Sequence, residues 1–193
     1  MVQYAVPTSD AVRVDYETDT ASTTNLYQSV DEGIDGGTPN DSTWVRPNNF
    51  GFPVPGVIFG LGSLDTPSTR ADDTHELKIR VARNTAGSAI NLQLLLIEDG
   101  NGTIKSDSFN ISSTTVIETG WTLTEAQANN INDYSKLQVS LSGGQAGFDY
   151  LYTTEVEFQI PDAGGGGGSA VSDFIRFENG CMSDFRGMVN IGG

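Results

Sequence analysis

Apolar residues alternate with polar ones through much of this chain, and that period is the period of strands. Over 76–83, Leu77, Ile79 and Val81 point one way while Lys78, Arg80 and Ala82 point the other. Asn84-Thr85-Ala86-Gly87-Ser88 reads as a turn. The next strand, 90–98, is apolar on both faces over its second half, which places it centrally in a sheet. Asp99-Gly100-Asn101-Gly102 supplies residues that tolerate positive φ, as a tight hairpin requires, and 104–109 returns as the partner strand. The stretch 76–109 therefore reads as a β-meander.

Another strand covers 116–123, with Ile117, Trp121 and Leu123 on one side. It runs into Thr124-Glu125-Ala126-Gln127, the pattern of a capping box, so a short helix to about Ile131 follows. Leu137, Val139 and Leu141 alternate with Gln138, Ser140 and Ser142 before a Gly-rich loop over 142–147. In the last strong strand, 151–160, Tyr152, Val156, Phe158 and Ile160 are expected inside, with Glu155, Glu157 and Gln159 outside on a solvated face. Pro161 ends it, having no N–H for the ladder. The first 75 residues are less regular: Val12 and Val14 suit an edge strand, 26–30 one helical turn, and Trp44-Val45 and 57–61 strands around a Pro- and Asn-rich loop. Seven to nine strands without βαβ alternation predict an all-β fold, an antiparallel β-sandwich of jelly-roll type with one short helix and a flexible C-terminal tail.

Composition divides the chain further. Gly164 opens five consecutive glycines followed by Ser169, a flexible hinge. The expected organisation is a sandwich over 1–162, a linker over 163–170 and an apolar docking peptide over 171–193. That peptide carries Phe174, Ile175, Phe177, Phe185, Met188, Val189 and Ile191, too few for a domain and too apolar for a solvated tail. It either folds back on its own sandwich or docks on a partner subunit, and the glycines that decouple it favour docking.

Charge narrows the function classes. With 25 acidic residues against ten basic ones, the 193-residue chain carries a formal net charge of −15. A nucleic-acid interface or an anionic membrane contact rests on clustered Lys and Arg, so neither is expected. The opening Met1-Val2-Gln3-Tyr4 has neither a basic region nor a long apolar stretch, so no targeting segment is expected. One Cys and one His form neither an intramolecular disulfide nor a tetrahedral zinc site, and no cofactor is implied.

Few residues offer chemistry. His75, beside Asp72 and Asp73, has the setting of a carboxylate-oriented base, but a polar strand-end role suits it better. Cys181 lies in the tail with no closer cation than Arg176 and Arg186 to lower its pKa. Glu155 and Glu157 share a strand face as a glycosidase pair could, though two acids on an outward face more often simply meet water. Asp31, Glu32, Asp35 and Asp41 offer oxygens to Ca²⁺ without EF-hand spacing. Trp121 is expected in the core. Trp44, Phe50, Phe52, Phe148, Tyr150 and Tyr152 suit either a sugar-stacking platform or, more commonly, buried and subunit contacts.

Two stretches carry a family resemblance: Leu26-Tyr27-Gln28-Ser29-Val30-Asp31-Glu32 with Pro39-Asn40-Asp41 and Trp44-Val45, and Trp121-Thr122-Leu123-Thr124-Glu125-Ala126-Gln127-Ala128 with 131–139. Together with 156–161 they resemble small jelly-roll virion structural proteins of tailed bacteriophages, over about 8–162. The resemblance implies a capsid decoration (cement) or head-fibre protein with no catalytic residues. Its partners would be the major capsid protein or other virion subunits, on the outer surface of the capsid. A homo-oligomer is expected, trimer first and dimer second. The alternative is a tail, neck or fibre module, with glycan binding at the host surface as one role open to it.

Overall fold

A computed structural model describes residues 2–48, 56–146 and 148–163. The linker and the docking peptide, with Phe174, Ile175, Phe177, Phe185, Met188, Val189, Ile191 and Cys181, lie outside the described residues, as do Phe50 and Phe52.

The chain runs through β1 (Val2–Ala5), β2 (Pro7–Val14), β3 (Tyr16–Thr18), β4 (Val45–Pro47), β5 (Gly56–Leu61) and β6 (Glu76–Arg83). It continues through β7 (Ile90–Glu98), β8 (Gly102–Ile111), β9 (Ile117–Thr122), α1 (Glu125–Asn129), β10 (Leu137–Gly143), β11 (Gln145–Ala146) and β12 (Asp149–Pro161). Two antiparallel sheets form. The larger runs β3-β4-β12-β6-β9, with β1 and β11 also paired to β12, and the smaller runs β2-β5-β10-β7-β8. This is the all-β sandwich that the alternation predicts. Leu77, Ile79 and Phe158 from the larger sheet meet Phe59, Leu94 and Val139 from the smaller in one fully buried core. Thr124 caps α1 in the predicted capping box, its hydroxyl accepting from the Gln127 N–H at 3.3 Å while the Gln127 side chain accepts from the Thr124 N–H at 3.0 Å. Trp121 is buried, as expected.

The meander expected over 76–109 does not form. The hairpin of β7 and β8 is present, but β6 lies in the other sheet, between β12 and β9. Both β6 and β7 have one strongly apolar face, and placing them in opposite sheets lets both faces enter the same core. The intervening residues cross between the layers, tied by the Arg83 N–H to Ser113 (2.7 Å) and by the Asn84 N–H to Tyr150 (3.1 Å).

A second correction concerns β12. Its pairing with β6 slips by one residue between Thr153, opposite Val81, and Glu155, opposite Arg80. This bulge at Thr154 reverses the phase of the strand. Leu151 and Thr153 therefore join Val156, Phe158 and Ile160 on the buried side, while Tyr152, expected inside, lies beside Trp44 on the outer face.

Candidate functional site

The outer face of the larger sheet is where the sequence concentrates its unusual chemistry. Glu155 and Glu157 do leave the core side of β12, but they do not meet water: both are 0% exposed. Residues 31–43 lie across them without strand or helix of their own. Glu157 accepts from the N–H groups of Ile34 (2.9 Å), Asp35 (3.0 Å) and Gly36 (2.9 Å). Glu155 accepts from Gly33 at 3.1 Å through one oxygen and from Asn40 at 2.6 Å through the other. A loop without a ladder needs partners for its buried N–H groups, and these carboxylates supply them. Gly33 permits the close approach: its φ is +85°, and a Cβ there would stand 3.0 Å from Glu157 Oε2.

Burial pushes the Glu155 carboxyl up to about 7; the Asn40 and Gly33 N–H groups work against this rise, and Glu32 and Asp41 add to it. The same burial, with Glu32 beside it, raises Asp31. Two of the four acids considered as calcium ligands are engaged otherwise. Asp35 pairs with Lys78, while Asp41 pairs with Arg80 at 2.6 Å and accepts from Thr154 at 2.8 Å. The Arg80 bond holds the Asp41 carboxyl below its ordinary value. Among the described residues, no three His, Cys, Asp or Glu converge as a metal-ligand set.

Next to the covered glutamates lies an aromatic cluster. Trp44 and Arg46 flank Val45, which is buried opposite Thr153, so both leave the core on the same outer face as Tyr152 and Tyr150. The Trp44 and Tyr152 ring centroids are 6.3 Å apart and tilted by 54°. The Arg46 guanidinium stands 4.9 Å from the Trp44 ring centre and 4.6 Å from that of Tyr150, whose hydroxyl it also bonds. Two N–H groups of Arg46 reach one oxygen of Glu17, at 2.9 and 2.7 Å. Burial opposes its charge, but the bond to Glu17 and the field of Tyr150 outweigh that and raise its pKa. Phe148, just before β12, is 86% exposed. The sequence offered Trp44, Phe50, Phe52, Phe148, Tyr150 and Tyr152 as a platform only as the less favoured reading, beside buried and subunit contacts; Arg46, which joins Trp44 and Tyr150, was not singled out. Its only signal was alternation with Trp44 around Val45.

At the end of β4, a cavity of about 350 Å³ is lined by Arg13, Asp15, Tyr16, Thr23, Thr24 and Asn48. Its lining is polar throughout apart from the Tyr16 ring, and nothing in the sequence marked it.

His75 stands just before β6, at the strand end that the sequence suggested, but it is buried in the core. It is 0% exposed, with Nε2 2.7 Å from the Tyr134 hydroxyl and Nδ1 3.0 Å from that of Thr74. Burial, with Arg70 nearby, pushes the imidazole down to about 4. No helix among the described residues is long and apolar enough to cross a membrane.

No protein-family model matches the chain, and no curated protein sequence matches it. Solved structures share parts of its architecture at low identity. A C-terminal family 6 carbohydrate-binding module of the laminarinase LamC from Zobellia galactanivorans aligns over 83% of this chain and 99% of its own, at 11% identity and a TM-score of 0.40. A family 35 carbohydrate-binding module from Clostridium thermocellum aligns over 81% and 98%, at 13% identity and a TM-score of 0.40. Against the arabinofuranosidase MgGH51 the TM-score is 0.43 at 12% identity, over 60% of this chain; the match spans only 19% of that enzyme's length. Likeness at this level carries no inference about activity.

Proposed function

We propose that this domain is a non-catalytic binding module for carbohydrate, with Trp44, Tyr150 and Tyr152 around Arg46 as its contact surface. The observation that carries this reading is the clustering of three partly exposed rings, from two neighbouring strands, on the side of the sheet away from the core. One face of a pyranose ring presents C–H groups that stack on an aromatic face, while its hydroxyls take hydrogen bonds from polar groups at the rim. Arg46 can donate such bonds and Glu17 can accept them from sugar hydroxyls, while the Glu17 bond holds the guanidinium against the rings. The titratable groups considered for hydrolysis have fold roles: His75 is sealed in the core, and Glu155 and Glu157 hold a loop.

Affinity electrophoresis of the full chain through gels containing a panel of soluble polysaccharides tests this. At least one polysaccharide should retard the protein, and Trp44→Ala or Tyr152→Ala should weaken binding by about tenfold or more, with Trp121→Phe unchanged. Absence of retardation by the whole panel, or retardation indifferent to both substitutions, overturns the reading.

A second reading, a virion surface component of a tailed bacteriophage, is supported by the resemblance of 8–162 and by the tethered apolar segment 171–193. The two readings are compatible, since a particle-bound module can carry a glycan contact. Here the partners are capsid or other virion subunits, and many copies on a lattice gain avidity from weak contacts. Removing 163–193 should abolish incorporation into particles while the sandwich stays folded; full occupancy by the truncated chain overturns it.

A further inference from the structure

The chain passes from the smaller sheet to the larger at Asp15, between β2 and β3, and the cavity of about 350 Å³ lies at this crossing. Arg13 and Asp15 come from the crossing, Tyr16 from β3, Asn48 from just after β4, and Thr23 and Thr24 from the loop that follows β3. Bonds to the backbone hold these walls. The Asn48 N–H donates to the Asp15 carbonyl at 2.8 Å, and Arg13 Nη1 donates to the Thr23 carbonyl at 3.0 Å. Asp10 fixes the far end of the loop, accepting from the Leu26 and Tyr27 N–H groups at 2.9 and 2.8 Å, with Arg13 3.6 Å away. By contrast, the side chains of Asp15, Tyr16, Thr23 and Asn48 enter no hydrogen bond or ion pair among the described residues. Asn48 Oδ1 is nevertheless buried, and Tyr16 is only 3% exposed. Buried polar groups are nearly always paired, so an unpaired set around one cavity points to a ligand as their partner. The backbone agrees. Of the four non-glycine residues with positive φ among the described residues, Asp15 (+55°), Ala21 (+58°) and Asn25 (+55°) fall in the crossing and the loop. Such conformations persist only where the surroundings enforce them, and they gather at binding sites.

We propose that this cavity is a pocket for one neutral sugar unit, a second site beside the aromatic surface. The lining selects the chemistry. The Asp15 carboxylate only accepts hydrogen bonds, the Arg13 guanidinium only donates them, and the hydroxyls of Thr23, Thr24 and Tyr16 do either. A ligand that fits must donate and accept at closely spaced points, as neighbouring sugar hydroxyls do. An anion would face the Asp15 carboxylate, and a cation would face the Arg13 guanidinium and could accept nothing from it. The volume is near the lower end for ligand pockets, about 300 Å³, which suits a single ring. Asn48 follows Arg46 by two residues, about 7 Å along an extended chain, so the pocket and the aromatic cluster are neighbours on β4. The sugar class follows from the pocket's own lining; whether the unit is the end of a glycan rests on the carbohydrate reading above.

Amide NMR of the full chain, titrated with a panel of free neutral hexoses and pentoses, tests the pocket. At least one sugar should move the amides of Asp15, Tyr16, Thr24 and Asn48 saturably, with a Kd in the millimolar range. Asp15→Asn removes the charge but keeps a residue that adopts positive φ readily, and it should weaken this binding about tenfold. No saturable shift at these amides from any sugar, or unchanged affinity in Asp15→Asn, overturns the proposal. Should that variant not fold, charged sugars decide on the wild type. Glucuronate and glucosamine should each bind at least about fivefold more weakly than the best neutral sugar, and equal or tighter binding by either overturns the neutral pocket. A trisaccharide of the bound sugar that moves the same amides makes the ligand a glycan end, and one that does not makes it the free sugar; both results uphold the pocket. Shifts confined to Trp44, Tyr150 and Tyr152 overturn the pocket and leave the aromatic surface standing. Saturable binding at the pocket, without retardation by any polysaccharide, upholds the pocket and overturns the reading of the aromatic surface.

Discussion

His75 Nε2 lies 2.7 Å from the phenolic oxygen of Tyr134, and the pair joins the two sheets: His75 leads into β6 of the larger, Tyr134 into β10 of the smaller. Burial drives the imidazole down to about 4 and the phenol up to about 12. Both groups are therefore neutral across the ordinary range, as a dry hydrogen bond between layers requires.

Opposite pH dependences follow for two buried groups. His75 has a folded pKa below its ordinary 6.5, so its contribution to stability is complete above 6.5 and is lost as pH falls toward 4. Glu155 has a folded pKa above its ordinary 4.5, so its contribution is complete below 4.5 and is lost as pH rises through about 7. Each amounts to about 1–3 kcal/mol. Between pH 4.5 and 6.5 they offset, and wild-type melting temperatures should be nearly flat. Thermal melts of Glu155→Gln should reveal a steady loss toward acid that the wild type hides.

Glu157→Ala strips acceptors from three buried or partly buried N–H groups at once. A cost of about 3 kcal/mol in urea denaturation is expected. Glu157→Gln, which keeps one oxygen, should lose less than half of that.

Two glycines should behave very differently on substitution by alanine. A Cβ at Gly120 would fall on the Leu77 carbonyl oxygen, a backbone atom that moves only if β6 and β9 part. At Gly100 a Cβ meets open space, and the cost comes from its φ of +83°. Gly120→Ala should cost more than about 2 kcal/mol, and Gly100→Ala about 1 kcal/mol, by the same denaturation measurement.

Arg46→Lys retains the charge but cannot reach Glu17 through two planar N–H groups while standing over two rings. Near-UV circular dichroism should lose intensity from the aromatic cluster. Retardation by polysaccharide should weaken at least threefold, or about 0.7 kcal/mol.

The sequence disclosed what is local and periodic. Leu77, Ile79 and Val81 name their own face, Thr124 with Gln127 names a helix start, and 99–102 name a hairpin, because each signal lies within a few residues. Pairing across the sandwich was not legible in the same way. Nothing in 84–88 distinguishes a turn within one sheet from a crossing between two, and one extra residue at Thr154 reversed the facing of Tyr152. The environment of Glu155 and Glu157 was the largest miss. Their partners lie 115 to 123 residues away, in a segment with no periodicity. Gly33, Gly36 and Gly37 were its one visible sign, marking backbone that must approach something closely. Of the aromatic site, the rings were legible and the cation that assembles them was not.

Separation along the chain has a consequence for the order of folding. Residues 31–43 leave the ribosome long before Glu155 and Glu157, so their N–H groups have no acceptors in the nascent chain except water. This segment must wait for β12, the strand to which β1, β4, β6 and β11 also attach. It is therefore among the last parts of the domain to order, and its backbone stays open to proteases and chaperones until synthesis has nearly passed the whole sandwich.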